Sequence, residues 1–313
     1  MSRHYKVDKP EHGSEAWLAV RWSDQEGRPR ISASAAAAVH NEHPFQTAAD
    51  LADDLLASSP PEPVAPNKAM ERGNRLEPVI VQWAGDMEGI KLSTPEVMYA
   101  YEEEGVQLIA TLDAIDENGR VYEVKTSNRK FDNQLPRYWY WQGVQQAICT
   151  DTNEIEWVVF DSDLAIHRLT QVVTSDEKQM HISACREFLK AIDNGEYPAN
   201  ADVQYHNVLR QYPQSEGTTA ELPESARDLL DLLKATRDQI KEQTALEEDL
   251  KTELCLMLGE SEYGSLNGSV VCTWKTSTRS SLDSKRFEAE HPALYAKFKK
   301  QSTYRTFTIK GAK

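Results

Sequence analysis

Cysteine is scarce in this sequence of 313 residues. The four cysteines stand at positions 149, 185, 255 and 272, and no two of them form a C-x-x-C pair. Such pairs are typical of zinc ribbons, and closely spaced cysteines form the disulfide framework of small secreted domains. The spacing argues against both and predicts reduced thiols in a cytoplasm-like compartment.

Long apolar runs are also missing. The longest uncharged apolar stretches, such as residues 31–39, fall far short of the roughly 18 residues that a membrane span needs. The first ten residues, MSRHYKVDKP, contain no apolar signal core. We therefore expect neither membrane insertion nor export, while a hydrophobic content of 40% is enough to bury a sizeable core.

Basic residues are outnumbered, with 35 Lys and Arg against 50 Asp and Glu, for a formal net charge of −15. Taken alone, this deficit argues against a nucleic-acid binder, because phosphate contacts need Lys and Arg. The charge is uneven, however, since residues 268–313 hold ten Lys and Arg against three Asp and Glu. Local positive clefts stay possible in such a chain, and clustered acids can be metal ligands.

The first two thirds of the chain alternate between helical and strand-like patterns. Apolar residues at helical spacing, with a possible Ser14 cap and a Ser cap at 175, are followed by short runs rich in Val, Ile and Tyr. This order predicts a mixed α/β fold with a central sheet flanked by helices. We expect helices over 14–22, 31–39, 47–57, 67–88, 138–149 and 175–195, and strands over 97–103, 106–116, 119–127, 155–162 and 165–173.

The last hundred residues have a different composition. A linker over 211–222 separates a first domain, 1–210, from a C-terminal accessory domain, 211–313. A long amphipathic helix is expected over 222–259, either as a coiled-coil segment or packed on its own domain. The basic tail, 260–313, is expected to form a small α+β module with an Asn-Gly hairpin and a closing strand over 304–310.

The residues with the clearest chemical signal are Asp113 and the pair Glu123 and Lys125. Glu123 and Lys125 are two positions apart on an expected strand, so their side chains point to the same face. Two carboxylates and the carbonyl of Val124 would form a hard-oxygen site suited to Mg²⁺ or Mn²⁺. A neighbouring lysine could polarise an attacking water, which makes metal-assisted phosphodiester hydrolysis the chemistry this pattern favours.

The same pattern has an ordinary structural interpretation, a solvated hairpin with a cross-strand ion pair. The acids, however, lie inside the apolar runs LIATLDAI and VYEVKT, where unpaired charge is costly. Glu77 on the preceding helix could add a third carboxylate or remain a surface residue.

Four blocks in order resemble the YqaJ-type phage recombinase family, the lambda-exonuclease-like branch of the PD-(D/E)xK nuclease superfamily. They are W-L-A-V-R with I-S-A-S (17–34), R-G-N-R-L-E-P (72–78), T-L-D with Y-E-V-K-T (111–126) and P-R-Y-W-Y-W-Q-G-V-Q-Q (136–146). The family's Pro-Asp-Gly is Leu-Asp-Ala here, and the second Gln of its Q-V-Q is Val144.

The resemblance implies a restriction-endonuclease-like fold and a set of site residues. Asp113, Glu123, Glu77 and the Val124 carbonyl would hold Mg²⁺, for which Mn²⁺ could substitute, and Lys125 would be the catalytic lysine. Gln142 would line the site. The implied contacts to a 5′-phosphate of DNA are Arg21, Ser34 and Thr111.

The activity implied by the resemblance is 5′-to-3′ digestion of one strand at linear double-stranded DNA ends, leaving 3′ overhangs for strand annealing. The implied partners are further copies in a ring-like trimer or tetramer and a single-strand annealing protein, in the cytoplasm of a bacterial host. Two alternatives stay open, an endonuclease of the same superfamily and a non-catalytic DNA-binding scaffold.

Overall fold

The computed structural model describes residues 2–300 and 304–310. The chain divides into two compact units, residues 1–211 and 212–313. No helix in the described part of the chain is both long and apolar enough to cross a membrane.

The N-terminal half of the first unit is mainly helical. The alanine-rich segment predicted as a helix over 31–39 begins as a two-residue strand and becomes helical only from residue 33, through one 3₁₀ turn. The elements are β1 (Arg3–Asp8), α1 (Glu15–Trp22), β2 (Ile31–Ser32), α2 (Ala36–Val39), α3 (Ala48–Leu56) and α4 (Lys68–Glu88).

The second half of this unit contains most of the strands. The long strand predicted over 106–116 is broken at residues 111–113, which belong to no strand. The elements are β3 (Val97–Glu103), β4 (Val106–Ala110), β5 (Ala114–Ile115), β6 (Val121–Thr126), α5 (Arg137–Thr150), β7 (Glu154–Phe160), β8 (Ile166–Val172), α6 (Ser175–Asp193) and α7 (Tyr205–Gln211).

These strands form two sheets of four strands, with the orders β1-β3-β4-β2 and β5-β6-β7-β8. The first sheet is antiparallel except where β2 runs parallel to β4. In the second, β6 and β7 are parallel and are joined through α5, as parallel neighbours require. The mixed α/β class predicted from the sequence is confirmed, with the strands divided between two sheets.

Alternation along β6 decides what each face of the second sheet contacts. Val121 packs in the cluster that contains α5, whereas Tyr122 and Val124 pack in the cluster that contains α4. Because successive strand side chains point to opposite faces, Glu123 and Lys125 share the α5 side with Val121. The sheet is thus covered by a helix on each face, and the acid and the lysine lie under α5.

Local sequence explains where the helices begin. Ser14 caps α1 through the Trp17 N–H, and Thr47 caps α3 in a reciprocal capping box with Asp50. The cap of α6 is Thr174, paired with Glu177, rather than the predicted Ser175. The expected position was one residue late because both Ser and Thr can cap, and the reciprocal bond to the third helical residue selects Thr174.

The second unit contains one long helix and short elements. The long helix has no buried residue, and the predicted Asn-Gly hairpin forms, with Asn267 and Gly268 both at positive φ. The closing strand predicted over 304–310 is wrong, because these residues pair with no strand in the described part of the chain. The elements are α8 (Ala226–Leu258), β9 (Tyr263–Leu266), β10 (Ser269–Thr273), α9 (Ser284–Glu290) and α10 (Pro292–Phe298).

Candidate active site

Asp113 lies at the break between β4 and β5, where the chain leaves the first sheet and enters the second. Its Oδ2 accepts a hydrogen bond from the Val124 N–H on β6 at 2.8 Å. This bond fixes the carboxylate beside β6. A break in the predicted strand is therefore what brings Asp113 to the strand that bears Glu123 and Lys125.

Glu123 and Lys125 form an ion pair on the α5 face of β6. Lys125 Nζ lies 2.6 Å from Glu123 Oε1, and the Glu123 side chain is only 2% exposed. Lys125 Nζ also lies 6.0 Å from the centre of the Trp157 ring. The lysine is thus held between a buried carboxylate and an aromatic ring, with part of its side chain open to solvent.

Helix α5 supplies two amides to the same carboxylate. Gln142 Nε2 donates to Glu123 Oε1 in a short contact, and Gln146 Nε2 donates to Glu123 Oε2 at 2.5 Å. The two glutamines are four residues apart and so lie on one helix face. Both oxygens of Glu123 are therefore engaged, which fixes the plane of the carboxylate.

A third glutamine on this face holds the first sheet. Gln145 Nε2 donates to the carbonyls of Ile31 at 2.8 Å and Ile109 at 3.1 Å. These carbonyls belong to β2 and β4, directly before the segments that contain Ser32, Ser34 and Thr111. Helix α5 therefore sets the position of one sheet relative to the other at the site.

Glu77 reaches the site from α4, the helix on the opposite side. It is followed by Pro78, which lies inside the helix. Glu77 lines the same cavity as Asp113 and Glu123. Burial, followed by repulsion from Glu123, raises the pKa of Glu77.

The cavity has a volume of about 420 Å³ and brings together most of the site residues predicted from the sequence. Val124 and Lys125 do not line it, although the first is bonded to Asp113 and the second to Glu123. Its lining residues are Lys9, His12, Trp17, Arg21, Ala33, Ser34, Asn74, Glu77, Thr111, Leu112, Asp113, Glu123 and Gln142.

Arg21 lies in this cavity without a carboxylate partner in the described residues. Its guanidinium donates to Ser32 Oγ at 2.9 Å and to Ser34 Oγ in a short contact, and it stacks 4.0 Å from the Trp17 ring centre. Burial lowers the pKa of Arg21 to about 10. A half-buried guanidinium bonded only to hydroxyls is suited to an incoming anion.

The electrostatics of the carboxylate end favour a cation. Burial, and then the charge of Glu123, raises the pKa of Asp113 well above its ordinary value. Burial alone would lower the pKa of Lys125, but attraction by Glu123 and Asp113 outweighs it and raises that pKa. The lysine therefore stays charged, and the acids repel one another more than one lysine offsets.

In charge and in donor type the carboxylates fit a divalent metal ion, since their oxygens are hard donors and a dication would offset their repulsion. They are not assembled into a closed set of ligands. Among residues 2–300 and 304–310, no three His, Cys, Asp or Glu side chains form a group that could hold a metal ion. The oxygens of Glu123 are instead occupied by Lys125, Gln142 and Gln146.

Several residues at the site were not predicted from the sequence: Gln145, Gln146, Lys9, His12 and Asn74. Gln146 is fully buried and its Oε1 has no hydrogen-bond partner in the described residues. A signal for the glutamines was available. Positions 142, 145 and 146 place three amides on one face of an otherwise apolar helix, which is unusual for a face in the core.

Comparison with known proteins gives a family for this region. The family profile described as a YqaJ-like viral recombinase domain matches residues 16–153. A relative from Bacillus subtilis (strain 168), the uncharacterized protein YqaJ, is 26% identical over 104 residues, which are 33% of this chain and 32% of that protein. The match thus spans about a third of that relative's length.

Solved structures with similarity to the chain include two exonucleases. The alkaline exonuclease LHK-Exo of Laribacter hongkongensis is 17% identical, with a TM-score of 0.44 over 58% of this chain and 95% of that one. A phage-related exonuclease from Haemophilus somnus 129PT is 13% identical, with a TM-score of 0.39 over 53% and 96%. The matched family is the one that the four sequence blocks resemble, and the match spans residues 16–153.

Proposed function

We propose that the first unit is a metal-dependent exodeoxyribonuclease that acts on the ends of linear double-stranded DNA. The observation that supports this most is one cavity that is lined both by Asp113, Glu123 and Glu77 and by Arg21 with Ser34. The first group suits a dication and the second an anion. A phosphate-bearing DNA end requires both.

The carboxylate side would perform the hydrolysis. Mg²⁺, which Mn²⁺ could replace, would be held by Asp113, Glu123 and the Val124 carbonyl with Glu77 beside them, and would supply Lewis acidity for phosphodiester cleavage. Lys125 stays charged beside Glu123 and would orient the attacking water and offset charge that develops on the phosphoryl oxygens. Gln142 and Gln146 would keep the Glu123 carboxylate in one orientation.

The other side of the cavity would select DNA ends. Arg21 would pair with a terminal phosphate, and Ser34 would add a hydroxyl. Thr111 Oγ1 is buried and has no hydrogen-bond partner in the described residues, which leaves a hydroxyl available to the same phosphate. A site of this kind prefers a dianionic terminal phosphate to an internal diester.

The finer features of the proposal follow the family resemblance. Digestion would run 5′ to 3′ and leave 3′ overhangs for a single-strand annealing protein. The first domain, 1–210, would be the nuclease, and residues 211–313 would be an accessory domain. A ring-like trimer or tetramer around DNA would keep the enzyme on its substrate.

The test compares two DNA substrates with Mg²⁺ and with EDTA. One linear 5′-phosphorylated duplex is labelled at a 5′ end and another at a 3′ end. We expect the 5′ label to be released first, as mononucleotides. Release should require Mg²⁺ and should be absent with EDTA. A covalently closed plasmid is expected to stay intact. Cleavage of the plasmid would indicate an endonuclease, and binding of linear DNA without release of nucleotides would indicate a non-catalytic scaffold.

A further inference from the structure

The cavity has two further basic side chains, Lys9 and His12, that lie outside the family match. Lys9 and His12 line it together with Arg21, and both precede residue 16, where that match begins. None of these three side chains forms an ion pair with an Asp or Glu in the described residues. The cavity therefore has three basic side chains without a direct ion pair, of which Lys9 is near enough to Glu77 to attract its carboxylate.

The position of these two residues is set by the fold of the N-terminal segment. Strand β1 pairs with β3 up to Asp8, opposite Val97, so Lys9 follows a fixed strand end. Lys9 Nζ donates to the Pro95 carbonyl at 3.2 Å, which ties the side chain to the segment before β3. The His12 ring meets the Trp17 ring edge-on, with centroids 4.6 Å apart.

Trp17 connects the two halves of this basic group, because its ring also contacts the Arg21 guanidinium at 4.0 Å. His12 and Arg21 thus contact the same aromatic ring, and Lys9 is near enough to His12 to repel its charged form. Like charges so placed raise the free energy of the folded chain, and repulsion by Arg21 and Lys9 adds to burial in lowering the pKa of His12. A bound anion would remove the repulsion.

We propose that Lys9 and His12 complete an anion clamp with Arg21 and are specificity-determining contacts to the phosphates at the DNA end. This inference rests on the proposed function. We infer that the anion is nucleic acid, because its phosphates repeat along the DNA strand and more than one can enter the cavity. One phosphate could thus meet the carboxylates through a dication while a neighbouring phosphate contacts the basic side chains.

The test measures binding of the full chain to duplexes with a 5′-phosphate or a 5′-hydroxyl, with Ca²⁺ in place of Mg²⁺ to suppress hydrolysis. The variants are Lys9→Gln, His12→Gln and the double variant. Lys6→Gln is the matched control, because Lys6 lies three residues before Lys9 and lines a different cavity. Lys9→Arg preserves the charge, and thermal melting checks that each variant folds.

Loss of Lys9 or His12 is expected to weaken binding of the 5′-phosphorylated duplex by roughly 3- to 10-fold and to reduce its preference over the 5′-hydroxyl duplex. The slope of log affinity against log salt concentration should become shallower by about 0.9 for each phosphate contact removed. Lys9→Arg should retain the affinity and Lys6→Gln should leave both quantities unchanged.

An unchanged preference and slope in the double variant, with Arg21→Ala still losing the preference, would overturn the clamp and leave the nuclease proposal standing. Equal losses of affinity and preference in Lys6→Gln would also overturn the clamp. They would show that any lysine near DNA contributes through general electrostatic attraction. If the unmodified protein neither binds the duplexes nor releases nucleotides, the proposed function fails and the clamp fails with it.

Discussion

At the scale of single residues, Glu123 organises the site, because its two carboxylate oxygens accept from three donors. The donors are Lys125 on the same strand and Gln142 and Gln146 on α5. A buried carboxylate needs such partners, since an unpaired charge in the core is costly. Changes to its donors should therefore alter stability and activity together.

Replacing Gln146 tests this dependence. Gln146→Met removes the donor to Glu123 Oε2 but keeps the length of the side chain and removes an Oε1 that has no partner. The second effect offsets part of the first, so we expect a loss of about 1 kcal/mol in unfolding free energy. We also expect slower nucleotide release. The two quantities are measured on the same samples, stability by denaturant unfolding and activity by the rate of nucleotide release. Full activity with unchanged stability would show that Glu123 does not need this amide.

We expect the carboxylate of Asp113 to lower the unfolding free energy of the protein, although the proposed reaction needs it. Its pKa is raised by burial and by Glu123, so at pH 7 the charged form destabilises the fold. Asp113→Asn keeps an oxygen that can accept the Val124 N–H and removes the charge. Without divalent ions, the variant should melt at a higher temperature than the unmodified protein and release no nucleotides.

The control for this prediction is Asp132→Asn, an exposed aspartate outside the cavity, which should change neither quantity. A lower melting temperature for Asp113→Asn would contradict the account, since it would mean that the carboxylate is stabilised by its surroundings.

At the scale of elements, the sequence predicted most helices and strands because their apolar periods are regular. Two of the predictions that failed, apart from the start of the helix over 31–39 and the break in the strand over 106–116, concern short-range alternatives. Thr174 and Ser175 could each cap α6, and residues 304–310 alternate like a strand but find no partner strand in the described chain. A periodic pattern indicates which face is apolar and not which element will cover it.

The assembly of the site could be predicted only in part, for the same reason. Spacing placed Glu123 and Lys125 on one face of β6, but no local signal related Gln146 or Lys9 to them. Those contacts depend on how closely α5 approaches β6 and on where β1 ends. Both are set by packing between elements that are distant in sequence.

Gly143 is the residue that permits the close approach of α5. A Cβ at this position would lie 2.1 Å from Gln171 Oε1 and 3.0 Å from a Trp157 ring carbon. Gln171 also accepts from Trp157 Nε1 and donates to the Tyr140 carbonyl, so it cannot move freely. Gly143→Ala should lower the unfolding free energy by about 1–3 kcal/mol and slow nucleotide release, because it displaces Gln142 and Gln146.

Gly73 is the matched control, since it lies inside α4 and an added Cβ would meet only Thr126 Oγ1, at an ordinary 3.8 Å. Gly73→Ala should leave activity intact and stabilise the helix by up to about 1 kcal/mol. Equal effects of the two substitutions would refute the role given to Gly143.

At the scale of the whole molecule, a pair of hydrogen-bonded histidines, His181 buried and His40 half-buried, makes stability depend on pH. Gln145 Oε1 must accept, because its Nε2 donates to two carbonyls, so His181 Nε2 donates to it at 3.0 Å. His181 Nδ1 is then the acceptor for His40 Nε2, 2.9 Å away. His181 must therefore be neutral, because its Nδ1 accepts a hydrogen bond.

Acidification should therefore destabilise the protein before its carboxylates titrate. Burial lowers the pKa of His40 to about 4 and that of His181 to about 3. Their ordinary pKa is about 6.5, so below that value the unfolded chain binds protons that the folded chain does not. Stability should fall between pH 6.5 and 5 by at most about 1.4 kcal/mol per pH unit for each histidine.

Melting curves at pH 7, 6 and 5 measure this effect, and His40→Gln isolates it from other groups. Glutamine can still donate to His181 Nδ1, so the variant should show a weaker pH dependence than the unmodified protein. The same dependence in both proteins would assign the loss to groups other than His40.

The most direct test of the central claim is the rate at which mononucleotides leave a linear 5′-phosphorylated duplex in Mg²⁺, measured for the unmodified protein and for Lys125→Met. The account predicts release by the first and a loss of at least about 100-fold in the second, with folding and DNA binding retained. Equal rates in the two proteins would contradict it, since Lys125 and its buried carboxylate would then have no part in the cleavage of DNA.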